Sequence, residues 1–147
     1  MIGFIIIGHN HFASGILSAV EMIIGRQVNV ETVDFLPQDD IETLDKKISN
    51  SIKTLDNSDG IIFFADIAGG SPFNRSMVFL VENLELDIHV IGGINLPLLI
   101  EAFNLRNSIR IPNELIDKLI SIGSESIVYG NKMLQEEFKK NIRGYIP

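Results

Sequence analysis

Hydrophobic residues fall along this chain in two alternating kinds of block. Ile2 to Ile7 is a continuous apolar run of β-branched and aromatic residues, closed by Gly8. Runs without polar alternation suit strands buried on both faces, as in a parallel sheet. Phe12, Ile16, Val20, Ile23 and Ile24 then recur at helical spacing, and Gly25 stands where a helix would stop. Val28, Val30, Val33 and Phe35 alternate with polar residues, the pattern of a more exposed edge strand, which Leu36-Pro37 ends. Asp39 and Asp40 offer an N-cap to a helix carried by Ile41, Leu44, Ile48, Ile52 and Leu55. Asn57-Ser58-Asp59-Gly60 is turn chemistry. Ile61 to Ala65 is a second continuous apolar strand, ending at Asp66. Ser71-Pro72 reads as an N-cap followed by proline at the first helical position, and Met77, Leu80, Val81 and Leu84 continue that helix. Ile88 to Ile91 is a fourth strand before Gly92-Gly93. Helices follow from Asn95-Leu96-Pro97 to about Leu105, over Pro112–Ile122 and over Lys132–Ile142, with a short β-like segment at Ser126–Tyr129.

Strand and helix alternate four times before the closing helices. This order predicts an α/β fold, an open doubly wound, mainly parallel four-stranded sheet with helices on both faces. Strands 1 and 3 are the most uniformly apolar and belong at the centre. Ligands of such sheets bind beyond the carboxyl ends of the strands, where strand order reverses. With strands 1 and 3 adjacent, Gly8-His9-Asn10-His11 faces Asp66-Ile67-Ala68-Gly69-Gly70-Ser71. No repeat or linker divides the 147 residues, so one domain over 1–147 is expected, with a core over 1–130 and a C-terminal helix over 131–147.

Composition mainly subtracts. Cysteine is absent, which removes disulfides, zinc–thiolate sites and a thiol nucleophile. Twelve basic against 19 acidic residues leave a net charge of −7, which disfavours nucleic acid and anionic membrane surfaces. The apolar N-terminal run is too short and lacks the basic start of a signal peptide, and no stretch reaches membrane-spanning length, so a cytoplasmic protein is expected. The acidity is uneven: Glu31 to Asp59 is acid-rich, and Lys132 to Arg143 slightly basic.

Three features carry possible chemistry. His9 and His11 flank Asn10 in a strand-to-helix loop, where a titrating imidazole is useful. Both stay candidates on chemistry alone, whereas His89, inside the fourth strand, reads as structural. Asp66 follows an apolar strand directly; it either starts the next turn or orients a nearby imidazole and fixes its tautomer. Gly69-Gly70-Ser71 opens a helix whose first N–H groups favour an anion, without the lysine and glycine spacing of a Walker A loop. Asn95 either caps the next helix or lines the site. One imidazole, one carboxylate and helix-start donors suit a histidine that receives a phosphoryl group, with no metal or organic cofactor required. His9, His11 and Asp66 as zinc ligands form a weaker alternative, lacking a further strong ligand.

The runs Ile7-Gly8-His9-Asn10-His11-Phe12-Ala13-Ser14-Gly15, Asp66-Ile67-Ala68-Gly69-Gly70-Ser71-Pro72-Phe73-Asn74 and Gly93-Ile94-Asn95-Leu96-Pro97 resemble enzyme IIA of the mannose family, in the phosphoenolpyruvate-dependent sugar phosphotransferase system. The similarity runs from Met1 to about Leu105 and more weakly through Tyr129. It implies that His9 is phosphorylated by phospho-HPr and passes the group to a histidine of enzyme IIB, while the membrane components IIC and IID move the sugar. It implies that Asp66 hydrogen-bonds the active histidine and that Ser71 lies near its phosphate. It also implies a homodimer with an exchanged C-terminal strand, here Ser126–Tyr129. The family usually has glycine where this chain has Asn10, a residue that tolerates positive φ. A receiver-like regulatory module phosphorylated on Asp66 is the alternative, although the loop after strand 1 lacks that class's acidic cluster.

Overall fold

Strands β1 (Gly3–His9), β2 (Val30–Phe35), β3 (Ile61–Ala65) and β4 (Ile88–Gly92) pair side by side in the order β2-β1-β3-β4, all parallel. The computed structural model describes residues 1–142. The two continuous apolar runs are the two central strands, because only there does a strand bury both faces. The alternating segment is β2, at one edge.

Helices α1 (Phe12–Ile24), α2 (Ile41–Thr54), α3 (Gly70–Glu82), α4 (Leu96–Leu105) and α5 (Pro112–Glu125) cover the sheet, and α6 (Gly130–Ile142) follows. Strand alternation sends Phe4 and Ile6 into a core with Val20 of α1, Leu99 and Phe103 of α4 and Leu115 and Leu119 of α5. Ile5, Ile7, Phe63 and Ala65 face the other way, onto Leu44 and Ile48 of α2 and onto Phe73 and Leu80 of α3. The doubly wound expectation is met. No helix among the described residues is long and apolar enough to cross a membrane.

Local chemistry sets the helix ends. Asp40 caps α2 by accepting from the Thr43 N–H at 2.7 Å, while Asp39 accepts from the Leu36 N–H and from Lys47. Asn95 caps α4 through the Leu98 N–H and donates to the Gly123 carbonyl at 2.9 Å, which joins the start of α4 to the end of α5. That settles Asn95 as a cap. Two expectations change. The helix after β3 starts at Gly70 with Gly69 as its N-cap, so Ser71 lies in its first turn instead of capping it. Ser126–Tyr129 forms no strand within the single chain: Ser126 ends α5, and residues 127–129 run irregularly to α6, exposed. The expected C-terminal helix is present as α6 to Ile142, and residues 143–147 lie outside the described residues.

At the amino edge of the sheet sits a buried cation. Arg106, 2% exposed, donates to the carbonyls of Ile2 and Asn29 at 3.0 Å each and to that of Val28. Its guanidinium lies 4.4 Å from the ring centre of Phe4 and 4.9 Å from that of Phe103. Burial pushes its pKa down to about 10, so it stays charged at neutral pH. Arg106→Met keeps much of the volume but leaves three main-chain carbonyls unpaired. It should cost about 3–5 kcal/mol and lower Tm by about 10 °C in thermal denaturation, with Arg106→Lys recovering part of the loss.

Candidate active site

Two loops meet at the carboxyl ends of the central strands. The β1–β3 register sets Ile7 opposite Ala65, and the Asp66 N–H extends the ladder by bonding the Ile7 carbonyl at 3.1 Å. This places the Asp66 carboxylate beside the last residue of β1. Gly8 permits the approach: a Cβ there would lie 3.1 Å from the Asp66 side chain and 2.8 Å from the Phe12 ring.

Asp66 Oδ2 accepts twice from His9, from the backbone N–H at 2.9 Å and from Nδ1 at 2.7 Å. Asp66 Oδ1 accepts from the Ile67 N–H at 2.9 Å. An ionised carboxylate only accepts, so Nδ1 carries the proton and Nε2 the free lone pair. The carboxylate is 11% exposed and the imidazole 48%, so the anchoring group is covered and the reactive ring open to solvent. The Phe35 ring flanks His9 at 6.2 Å between centres.

Nε2 faces the amino end of α3. A Cβ on Gly70 would lie 3.2 Å from His9 Cε1 and 3.6 Å from Nε2. Gly69 and Gly70 both hold positive φ, 86° and 77°, and Gly70 brings bare backbone against the ring. No side chain caps α3, so the first-turn N–H groups of Gly70 and Ser71 have no partner from a capping residue. Pro72, the next residue, has no N–H to offer. His9, Asp66 and Gly70 therefore meet at one place, with Gly69 and Ser71 on either side of Gly70 in the chain.

His11 points elsewhere. The turn out of β1 passes through Asn10, whose φ is +51° and whose N–H bonds the Phe35 carbonyl at 2.7 Å. His11 then pairs with Asp34 of β2, with Nδ1 3.5 Å from Oδ2. Asp34 also accepts from Ser14, at 3.0 Å from its N–H and 2.6 Å from its hydroxyl. The two imidazoles thus turn to different carboxylates, which removes the shared zinc site that His9, His11 and Asp66 would need. Among the described residues, no three histidines or carboxylates gather to hold a metal ion. His89 lies at the opposite end of the sheet, with Nε2 2.8 Å from Asp87 Oδ1.

Asp34 and Ser14 lie outside the site residues expected from the sequence. The signal for Asp34 is its place next to last in an alternating strand, on the face opposite buried Val33 and toward α1. Nothing in composition or spacing marks Ser14. Basic side chains nearby are already committed: Lys47 binds Asp39 at 2.6 Å and the Asp34 carbonyl at 2.8 Å, and Arg75 forks onto Asp45 at 2.7 and 2.8 Å. What the start of α3 presents at this edge is backbone dipoles.

Known proteins share this arrangement of elements. The family described as the phosphotransferase system (PTS) fructose IIA component, of mannose type, matches residues 3–120. The PTS mannose-specific EIIAB component of Escherichia coli (strain K12) is 35% identical over 124 residues, 84% of this chain and 38% of that protein. The chain thus spans well under half the length of that curated relative. The PTS fructose-specific EIIA component of Bacillus subtilis (strain 168) is 29% identical over 136 residues, 92% of this chain and 91% of that protein. The crystal structure of phosphotransferase system component EIIA from Streptococcus agalactiae superposes with a TM-score of 0.83 at 32% identity, covering 90% of this chain and 99% of that one. With the family matched over most of its length and the fold reproduced, the chain belongs to the mannose-type enzyme IIA components of the sugar phosphotransferase system.

Proposed function

We propose that this chain is a cytoplasmic phosphocarrier that takes a phosphoryl group from phospho-HPr onto His9 and gives it to enzyme IIB for sugar uptake through IIC and IID. One observation carries the reading: Asp66 occupies Nδ1 of His9, while Nε2 faces the uncapped start of α3 across Gly70. The reacting atom and an anion cradle share one face of one ring.

Each half of the transfer balances without a proton leaving the site. The Nε2 lone pair attacks phosphorus in line, the donor's P–N bond breaks, and its electron pair returns to the donor imidazole. The His9 ring becomes cationic with its proton still on Nδ1, and Asp66 offsets that charge at 2.7 Å. The Gly70 and Ser71 N–H groups receive the phosphoryl oxygens. In the second half, the acceptor histidine attacks and the P–Nε2 pair returns to His9. Such transfers depend mainly on positioning and electrostatics, and these residues supply both.

A homodimer also fits. Residues Ile127 and Val128 are exposed, Ile127 shares a hollow with Ile91 and Gly92 of β4, and the outer edge of β4 pairs with no strand among the described residues. A second copy's Ser126–Tyr129 segment added there would cover both.

His9→Ala should take up no label from phosphoenolpyruvate, enzyme I and HPr; labelling at the wild-type rate would overturn the assignment. The label should be lost in acid and kept in alkali, as for phosphohistidine; the reverse would indicate an acyl phosphate on Asp66. Asp66→Ala should fold but transfer on the order of a hundredfold more slowly. Gly70→Ala places a methyl group against His9 in a strained backbone, at about 1 kcal/mol in stability. It should slow labelling at least about tenfold by closing the cradle. Sedimentation should give the mass of two chains, and removal of the residues after Glu125 should give one.

A further inference from the structure

The His9 loop is gripped from both sides, and the phosphoryl chemistry uses only one grip. From β3, Asp66 holds His9. From β2, Asp34 holds the residues just beyond it, through the Ser14 N–H at 3.0 Å, the Ser14 hydroxyl at 2.6 Å and His11 at 3.5 Å. Asp34 does for α1 what the local sequence fails to do. His11, at the N-cap position, makes no capping bond with its side chain, and α1 has no acidic residue in its first turn. The carboxylate of the neighbouring strand supplies the cap instead.

We propose that Asp34 is a positioning residue for His9, acting through Ser14 and the α1 start to hold the His9–Asn10–His11 turn at the height where Nε2 meets α3. The inference rests on the phosphocarrier reading above and adds a residue to it. The anchor is needed because the turn is otherwise weakly determined. Asn10 holds a left-handed backbone with one hydrogen bond to Phe35, and the His9, Asn10 and His11 side chains stand open to solvent. Phe35 follows Asp34 directly in β2, so both contacts pin the turn to the same strand end. The Lys47 ammonium bonds the Asp34 carbonyl at 2.8 Å and fixes that strand end to α2. The facing helix ends differ accordingly: α1 is filled by a protein carboxylate, and α3 has no side-chain cap. An incoming phosphoryl group therefore meets one vacant cradle.

Asp34→Ala removes the cap, whereas Asp34→Asn keeps an oxygen that accepts from the Ser14 N–H. Labelling through enzyme I and HPr should be measured against HPr concentration, with the nitrogen NMR spectrum of the His9 ring recorded beside it. In Asp34→Ala, the maximal rate should fall ten- to a hundredfold at a nearly constant half-saturating HPr concentration, and the His9 signals should lose the single Nδ1-protonated pattern. Asp34→Asn should restore the rate to within about threefold of wild type. If Asp34→Ala does not fold, Ser14→Ala, which removes only the hydroxyl contact, should still slow labelling severalfold. A wild-type rate in Asp34→Ala or Ser14→Ala overturns the proposal, as does an Asp34→Asn defect equal to that of Asp34→Ala. Failure of wild-type protein to label on His9 overturns the phosphocarrier reading instead, and is seen before any Asp34 variant is made.

Discussion

The pairing of β1 with β3 governs the rest of the structure. With Gly3 opposite Ile61 and Ile7 opposite Ala65, the first residue past β3 lands beside the last residue of β1. A slip of one residue would turn Ile5 and Ile7 to the wrong face and carry Asp66 away from His9. The apolar side chains on both faces of these strands forbid that slip, since ten buried residues of Ile2–Ile7 and Ile61–Ala65 pack in two separate layers. The contact between carboxylate and imidazole is thus a product of core packing, set by residues that never touch it.

The proposed phosphocarrier role does not conflict with the chain's net negative charge. The negative charge sits on a surface where water screens it, and the basic side chains of α2 and α3 close to the site are bound to carboxylates. What remains for an anion is a row of main-chain dipoles at the start of α3, pressed close by glycine. Backbone donors of this kind are rigid and carry no side-chain entropy to lose on binding. Under the proposed function, such donors would also let go of the group more readily than a free lysine.

Much of this was readable from the chain alone, for reasons that differ by element. The continuous run Ile61–Ala65 announced a doubly buried strand, and the alternating Val30–Phe35 an edge strand, because side-chain period follows burial directly. Asp66 and His9 stood at strand ends, so topology alone brought them together. The start of α3 lies earlier than the sequence suggests because Ser71-Pro72 imitates a cap, while the backbone turns through Gly69 and Gly70 at positive φ and Gly70 packs against His9. Asp34 was invisible because its cap crosses from one strand to another chain segment 20 residues away, and only local caps leave a sequence pattern. Ser126–Tyr129 has the composition of a strand but finds no strand partner among the described residues, so propensity alone does not make it one.

Arg106 has a bearing on how the chain assembles. Its guanidinium joins carbonyls 104 residues earlier at Ile2, and 77 and 78 earlier at Asn29 and Val28. A chain emerging from the ribosome amino end first makes all four strands and helices α1 to α4 before this residue exists. Their amino edge stays unsealed until the end of α4 arrives, so a late-made helix end also locks the first-made strand. Such distant closure raises contact order and makes folding depend on nearly the whole α/β unit at once. The amino end of β1 is therefore pinned late, and a chain cut short before Arg106 keeps the packed faces that set the β1–β3 register but lacks the tie that closes its amino edge.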